Sequence, residues 1–417
     1  MSAGRWTLFA GTVHTLAGED LQDAVIVVED GRIAEIRAGG RESGVHAGAA
    51  GGARADRAYP HARVIPGLID IHVHGGGGWD LLTGGPAAVR GLGRFLARLG
   101  TTAYRPTLAT APLEMMLEAA GVIGEAMRRW EEDPDGRAEW GAQMLGLHLE
   151  GPFLNPARKG AMPAEEMQAP SIDLFERFVA ASGGRSAHMT IAPELPGALD
   201  LIRHAAAKGI TVAGGHTDAT YEEFEAGVDA GIRLGTHTYN AMRGLHHREP
   251  GALAAILTDD RVHAELIADG LHVHPAAMRL VLRAKGVDRV CLVSDAVAPA
   301  GLPPGEYESL ARRVIVDEQG FCRLPDGTLA GSTLHLLKGV RNAVELIGCS
   351  LNEALAMASR NPARLIGWGE RKGTLEPGKD ADFVVVDDDL RPLLTVVGGV
   401  VAYDAAHPKE DLRHGDI

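Results

Sequence analysis

Residues 66–74 read Pro-Gly-Leu-Ile-Asp-Ile-His-Val-His, a short apolar run that ends in two histidines. It is the first of eight such runs, and the others lie at 103–108, 144–149, 187–191, 210–213, 232–235, 263–267 and 289–293. Between the runs, apolar residues recur every three or four positions, which is the period of a helix packed on one face. Eight consecutive strand–helix units in about 300 residues predict a TIM-type (β/α)8 barrel. An open doubly wound sheet is the alternative, although it does not usually need eight sequential units.

The two ends of the chain share a pattern that differs from the middle. Residues 5–36 contain short β-branched runs joined by the turn Glu29-Asp30-Gly31, and residues 383–386 and 394–403 are β-rich again. We therefore expect an α/β protein in which both termini build one small β-sandwich domain beside the barrel. The expected boundaries are 1–63 for the N-terminal part of the small domain, 64–373 for the barrel and 374–417 for the C-terminal part.

The composition indicates a globular protein and narrows its partners. Hydrophobic residues make up 45% of the 417 positions, and 41 Lys and Arg against 55 Asp and Glu leave a formal net charge of −14, so a nucleic-acid partner is not expected. The three cysteines stand far apart, and no disulfide framework is predicted. The N-terminus lacks the pattern of a signal peptide, and no apolar stretch reaches the ~18 residues of a membrane span. We therefore expect a cytoplasmic protein with no membrane partner.

Histidines and carboxylates follow the predicted strands. His72 and His74 end the first run, and because they stand two residues apart on a strand they should point to the same side. The later runs are followed by His148 and Glu150, by His216, by His237, by Asp269, His272 and His274, and by Asp295. A parallel barrel brings the carboxyl ends of its strands to one face, where its active site lies. Imidazoles and carboxylates are ligands of zinc and of iron-type metals, so the pattern predicts a metal centre at this face.

These residues stand in motifs that resemble those of the amidohydrolase superfamily and, within it, of the N-acetylglucosamine-6-phosphate deacetylases. The resemblance covers nearly the whole chain and rests on the stretch 66–74, His148-Leu149-Glu150-Gly151-Pro152-Phe153, Gly215-His216-Thr217-Asp218-Ala219, His237-Thr238-Tyr239-Asn240-Ala241-Met242, Arg248-Glu249-Pro250-Gly251, Ala268-Asp269-Gly270-Leu271-His272-Val273 and Ser294-Asp295-Ala296. It implies that Glu150, His216 and His237 bind the main divalent metal, zinc or iron. Because His72 and His74 are retained, it implies one or two metals per subunit.

The resemblance also implies a reaction and its contacts. The reaction is metal-dependent deacetylation of N-acetyl-D-glucosamine 6-phosphate to D-glucosamine 6-phosphate and acetate, in which the metal activates water and Asp295 serves as catalytic base and acid. Asn240, Ala241 and Arg248 would contact the phosphate, and His272 a sugar hydroxyl. Family members form dimers that share phosphate contacts, so Arg248 is expected to reach across the interface of a homodimer.

One position departs from the family pattern. Family members usually carry a histidine in a Lys-Gly-Ala-His stretch, where this chain has Met162 after Lys159-Gly160-Ala161. Methionine cannot donate a hydrogen bond, so specificity for a different N-acetylated amino sugar stays open.

Two other interpretations compete with an amino-sugar deacetylase. A cyclic amidase such as a dihydroorotase typically carries a metal-bridging lysine at the end of the fourth strand, but residues 188–194 contain none. A catalytically inactive barrel that acts as a binding protein is the second alternative. Such proteins usually lose metal ligands, whereas this chain retains the whole set together with Asp295.

Overall fold

The structure is a computed structural model that describes residues 4–39, 55–133 and 136–407. At its centre eight parallel strands are hydrogen-bonded side by side in chain order. They span Leu68–Val73, Thr101–Ala109, Leu147–Glu150, Ser186–Ile191, Thr211–Gly214, Ile232–Gly235, His263–Ile267 and Val290–Val293. Each of the eight apolar runs coincides with one of these strands to within a few residues.

The eighth strand returns to the first and closes the barrel. Val73 and Ala296 form a parallel bridge, and the amide of Asp295 donates to the carbonyl oxygen of His72 at 2.9 Å. These contacts lie just beyond the carboxyl end of the eighth strand, so closure also brings Asp295 beside the first-strand histidines. The predicted (β/α)8 barrel is confirmed.

Helices surround the barrel, one after each strand. They span Gly85–Arg98, Leu113–Glu132, Ile172–Ala181, Ala198–Ala207, Tyr221–Ala230, Gly251–Thr258, Pro275–Lys285 and Leu336–Asn342, and further helices span Arg137–Trp140, Leu351–Ala358 and Arg360–Leu365. Helix Tyr221–Ala230 shows how the sequence determines where a helix begins and which of its faces is buried. It begins at a capping box made by Thr220 and Glu223, and it buries Phe224 and Val228, four residues apart on one face. Among the helices of the described residues, none is both long and apolar enough to cross a membrane.

Strands from both ends of the chain form a second sheet. Its seven strands, in spatial order, are Val400–Asp404, Pro392–Val397, Phe383–Val386, Arg57–Pro66, Trp6–Val13, Leu21–Glu29 and Arg32–Arg37. Leu8, Ile26, Val64, Phe383 and Leu394 belong to one apolar cluster, to which strands from both termini contribute alternate residues. The sheet therefore has a core of its own beside the barrel.

A short antiparallel sheet follows the eighth barrel strand and was not predicted. Its strands span Gly305–Ser309, Arg312–Val316 and Cys322–Arg323. The turn between the first two is held by Asp80, whose carboxylate accepts hydrogen bonds from the Leu310 amide at 2.8 Å and from the Ser309 hydroxyl at 2.9 Å. Asp80 follows the first barrel strand, so the turn is fixed at the mouth of the barrel.

The first outer helix lies unusually close to the loop that follows the first strand. A Cβ atom at Gly91, in helix Gly85–Arg98, would lie 2.2 Å from the indole ring of Trp79. Both residues are buried. Only a glycine lets the helix approach this ring without displacing it.

We predict that Gly91→Ala destabilises the protein, although glycine to alanine inside a helix ordinarily stabilises by up to ~1 kcal/mol. The overpacked methyl group should outweigh this gain and cost about 1–3 kcal/mol. The control is Gly121→Ala in helix Leu113–Glu132, where the new Cβ would meet nothing closer than 3.6 Å. Thermal unfolding midpoints should fall for the first variant and stay equal or rise for the second. Equal midpoints for both would contradict the close packing of Gly91.

Candidate metal centre and cavity

Side chains from three different strand ends meet at Glu150. Glu150 is the last residue of the third strand, and His216 and His237 lie two residues beyond the fifth and sixth strands. Glu150 Oε1 lies 3.2 Å from His216 Nε2 and 2.9 Å from His237 Nε2, and the two nitrogens lie 3.1 Å apart. The three residues expected to bind the main metal are therefore brought to one buried point.

A second group from the first and eighth strands adjoins this point. His72 Nε2 and His74 Nε2 lie 3.3 Å apart, and Asp295 Oδ1 lies 3.6 Å from the first and 3.3 Å from the second. Glu150 lies between the two groups, since its Oε1 is 3.4 Å from His72 Nε2 and its Oε2 is 3.2 Å from His74 Nε2. Asp295, expected to move a proton, thus also lies where its carboxylate could bind a metal beside His72 and His74.

The far sides of three imidazoles are held by acceptors. Nδ1 of His74 lies 3.2 Å from the carbonyl oxygen of Thr107, Nδ1 of His216 lies 2.9 Å from that of Arg158, and Nδ1 of His72 lies 3.1 Å from a carboxylate oxygen of Glu265. A carbonyl or carboxylate oxygen can only accept, so each Nδ1 carries the hydrogen. In the neutral rings the lone pair is then on Nε2, the atom that faces the cluster.

The cluster attracts positive charge. Burial is the largest single influence on the pKa of Glu150 and raises it, but the charge of His72 and the hydrogen bonds from His216 and His237 together hold the pKa well below its usual value. Burial is likewise the largest single influence on the pKa of Asp295 and raises it, but the charge of His72 and the hydrogen bond and charge of His74 together lower the pKa. Burial alone would lower the pKa of His72, yet the surrounding carboxylates raise it well above its usual value. Both carboxylates are therefore held in their ionised form.

The backbone is strained at three of these positions. His216, His237 and Asp295 have φ of +46°, +27° and +49°, in the left-handed region that costs non-glycine residues roughly 1–2 kcal/mol. Each lies two residues beyond the end of a barrel strand. The same sharp turn thus directs three side chains from the strand ends back over the barrel axis.

The donor set fits a divalent metal ion. The ligand atoms of Glu150, His216 and His237 all lie within 4.8 Å of one another, and so do those of His72, His74 and Asp295. Two buried carboxylates among neutral imidazoles would carry uncompensated negative charge, which a divalent cation neutralises. Imidazole nitrogen and carboxylate oxygen are also the donors that zinc and iron prefer.

A cavity of about 280 Å³ opens directly onto the cluster. The lining residues shared with the sequence analysis are His74, Glu150, His216, His237, Asn240, Ala241, His272 and Asp295. His272 is fixed by Asp269, whose carboxylate accepts from its Nδ1 at 2.7 Å. Arg248 is different, because it lies exposed in the loop after Met242 and does not line the cavity of this chain. The structure therefore brings together every predicted site residue except Arg248.

The wall of the cavity that faces the cluster is largely apolar. Met162, which stands where family members carry histidine, lines the cavity and packs with Ala109 and Leu154. Leu310, in the turn between strands Gly305–Ser309 and Arg312–Val316, packs against Met162 and its apolar neighbours. Leu329 also lines the cavity. The sequence does not predict that Leu310 lines the cavity, because the position of Leu310 depends on the hydrogen bonds that Asp80 makes with this turn.

Two charged residues beneath the cluster were also missed. Glu265 and Arg105 are buried inside the barrel at 0% and 3% exposure. A charged residue inside an otherwise apolar run, as in 263–267, was the available signal.

The chain is similar in sequence and in structure to several known proteins. Residues 63–406 match the family model described as the amidohydrolase family. The chain is 38% identical to N-acetylglucosamine-6-phosphate deacetylase of Vibrio furnissii over 92% of both chains. It is 42% identical to N-acetylgalactosamine-6-phosphate deacetylase of Escherichia coli O157:H7 over 78% of this chain and 84% of that one. A mutant N-acetyl-D-glucosamine-6-phosphate deacetylase of Mycobacterium smegmatis, solved in complex with N-acetyl-D-glucosamine-6-phosphate, superposes with a TM-score of 0.85 at 33% identity and covers 96% of this chain and 99% of its own.

We predict that His72→Ala lowers the metal content of the purified protein by one equivalent. The substitution removes one of the three side chains of the second group and leaves Glu150, His216 and His237 in place. Metal analysis after reconstitution with zinc should then change from two equivalents to one. The control is His204→Ala on an outer helix, where the imidazole pairs with Glu176 far from the cluster. Unchanged stoichiometry in His72→Ala would show that the first-strand pair is not a ligand site.

Proposed function

The chain belongs to the amidohydrolase family, and we propose that it hydrolyses the amide bond of N-acetyl-D-glucosamine 6-phosphate to release acetate and D-glucosamine 6-phosphate. The observation that carries this proposal is the buried convergence of Glu150 with imidazoles from three strand ends, open to a cavity that also exposes Asp295. The names of the relatives, which are deacetylases of 6-phosphorylated amino sugars, supply the substrate class.

Glu150, His216 and His237 would hold the main metal ion, and His72 and His74 would hold a second. Glu150 contacts imidazoles of both groups, so its carboxylate could contribute to either site. Zinc and iron both suit this donor set. When bound, such an ion supplies positive charge to the amide oxygen and lowers the pKa of water.

Asp295 would carry the proton. Its pKa is lowered and its side chain is 11% exposed, so an ionised carboxylate faces the cavity. In that form it can accept a proton from the attacking water, and the protonated acid can then deliver the proton to the leaving amine nitrogen. The carboxylate is restored at the end, so one group serves both steps.

The phosphate would be bound partly by a second subunit. Asn240 and Ala241 line the cavity, but of the described residues that line it none is a lysine or an arginine. Arg248 is exposed on this chain. A homodimer that brings the Arg248 of one subunit to the cavity of the other would supply the missing cation, and a guanidinium suits phosphate because it donates two parallel hydrogen bonds.

A cytoplasmic location of the protein remains a prediction.

N-acetyl-D-galactosamine 6-phosphate is a second candidate substrate. The two sugars differ in the configuration of one hydroxyl, at C4. Met162 on the cavity wall cannot donate a hydrogen bond to a hydroxyl, so this position cannot select one configuration in that way. One relative is named for activity on the galactosamine derivative.

We predict that Asp295→Asn keeps the fold and the metal held by Glu150, His216 and His237 but lowers kcat by about 100- to 10,000-fold. Asparagine preserves the shape of the side chain but cannot accept and return a proton. Acetate release should be measured beside Asp326→Asn, a change on an exposed turn outside the cavity. A rate for Asp295→Asn within a few-fold of the unmodified enzyme would exclude Asp295 as base and acid.

We predict that kcat/KM is much higher for 6-phosphorylated N-acetyl amino sugars than for unphosphorylated ones. Arg248→Ala should remove about 2–5 kcal/mol of that preference, because it deletes one partner of a charge pair. The rate on the unphosphorylated sugar should not change in this variant. Arg177→Ala, an exposed arginine paired with Glu114, is the matched control. Equal rates on both sugar forms would refute the phosphate assignment and leave the amidohydrolase chemistry standing.

The same assay separates the two hexosamines. In the unmodified enzyme we expect the glucosamine and galactosamine derivatives to be hydrolysed with similar kcat/KM, and Met162→His should favour one of them. A strong preference in the unmodified enzyme that Met162→His leaves unchanged would show that another residue selects the sugar.

A further inference from the structure

Glu265 contacts both groups of candidate metal ligands, the first made of Glu150, His216 and His237 and the second of His72, His74 and Asp295. It lies on the seventh barrel strand and is completely buried in the barrel interior. Its Oε2 lies 3.1 Å from Nδ1 of His72 and accepts a hydrogen bond of 3.0 Å from the backbone amide of His237. One oxygen atom thus contacts a member of each group.

The contact with His72 sets the direction of its imidazole. Because the carboxylate accepts from Nδ1, the lone pair of the neutral ring lies on Nε2, which faces His74, Glu150 and Asp295. A carboxylate behind a metal-binding imidazole fixes its orientation and strengthens it as a ligand.

The contact with His237 supports a strained turn. His237 has φ of +27°, so its backbone is unfavourable for a residue with a side chain. Glu265 holds this turn twice, since its side chain accepts from the His237 amide and its backbone carbonyl accepts from the Thr238 amide at 3.0 Å. The turn directs His237 Nε2 to Glu150.

A fully buried carboxylate is costly unless it is compensated. Arg105 is also buried in the barrel interior and interacts electrostatically with it: burial lowers the pKa of this guanidinium to about 9, and the charge of Glu265 opposes the change. Within the described part of the chain, Glu265 Oε1 and one terminal nitrogen of Arg105 have no hydrogen-bond partner. An apolar side chain at position 265 would fill its volume at lower cost, so the buried carboxylate is better explained by its effect on the histidines than by stability.

We propose that Glu265 is a positioning residue that fixes His72 and His237 and so couples the two ligand groups. The inference rests on the metal site of the proposed function, but not on its substrate. It predicts that metal affinity depends on this carboxylate, although Glu265 itself does not line the cavity.

The experiment is a Co²⁺ titration of the full-length protein after removal of metal by a chelator, followed by visible absorption. Glu265→Gln keeps the reach of the side chain and loses its charge, whereas Glu265→Asp keeps the charge and loses the reach. Each should weaken Co²⁺ binding at one or both groups by about 10- to 100-fold and alter the Co²⁺ spectrum. Circular dichroism establishes that each variant is folded.

A double-mutant cycle with His72→Ala identifies the route of the effect. A glutamine oxygen in the position of Oε2 can still accept both hydrogen bonds, so Glu265→Gln removes the negative charge behind the His72 imidazole. It should therefore act through His72 and add less than about two-fold in the His72→Ala background. The shorter side chain of Glu265→Asp also loses the hydrogen bond from the His237 amide. Part of its effect on Co²⁺ affinity should therefore persist in the His72→Ala background.

Asp70→Asn is the matched control. This buried carboxylate accepts from the backbone amide of His72 at 3.3 Å but does not contact its imidazole, so Co²⁺ affinity should stay within about two-fold. The proposal is overturned if Glu265→Gln binds Co²⁺ like the unmodified protein, if its effect is undiminished without His72, or if Asp70→Asn weakens binding equally. If the Co²⁺ titrations of all variants give the expected results but the unmodified protein releases no acetate from N-acetyl-D-glucosamine 6-phosphate, the proposed substrate is rejected and the role of Glu265 stands.

Discussion

The structure is organised around one buried carboxylate. Glu150 is almost without solvent contact, and four imidazole Nε2 atoms lie within 3.4 Å of its oxygens. Taking such a charge out of water costs several kcal/mol unless opposite charge surrounds it. Strands one and three must therefore keep their register, because a shift of one residue in either would turn the side chain of His72 or Glu150 to the other face of the sheet. The metal site thus constrains the register of the barrel.

The strands alone do not complete the site. His216, His237 and Asp295 stand beyond strand ends on left-handed turns, and these turns persist because neighbouring groups hold them. Asp295 donates its amide to the first strand, His216 donates Nδ1 to the backbone of Arg158, and Glu265 accepts from the His237 amide. The strain is therefore offset by hydrogen bonds that come from other strands and loops, which couples each ligand to distant parts of the chain.

The sequence predicted what repeats along the chain and missed what depends on tertiary contacts. Apolar runs located all eight barrel strands, and the residues after them supplied all the ionisable residues of the cavity lining, because parallel strands deliver their carboxyl ends to one face. Leu310 was missed because its place is set by Asp80, far away in sequence. Glu265 was hidden inside an apolar run, and the strand Arg57–Pro66 lacks a clear alternation of apolar and polar residues. Arg248 matched a motif, yet a single chain leaves it outside the cavity.

The sheet built from both ends of the chain has a consequence for biosynthesis. Strand Arg57–Pro66 pairs on one side with Phe383–Val386, which leaves the ribosome only after the entire barrel has been translated. Until then the nascent chain presents an unpaired strand edge that carries Val64 and Ile65, an arrangement prone to non-native association. A prematurely terminated polypeptide would keep that edge permanently exposed. Completion of the sheet therefore depends on strands that are synthesised after the whole barrel.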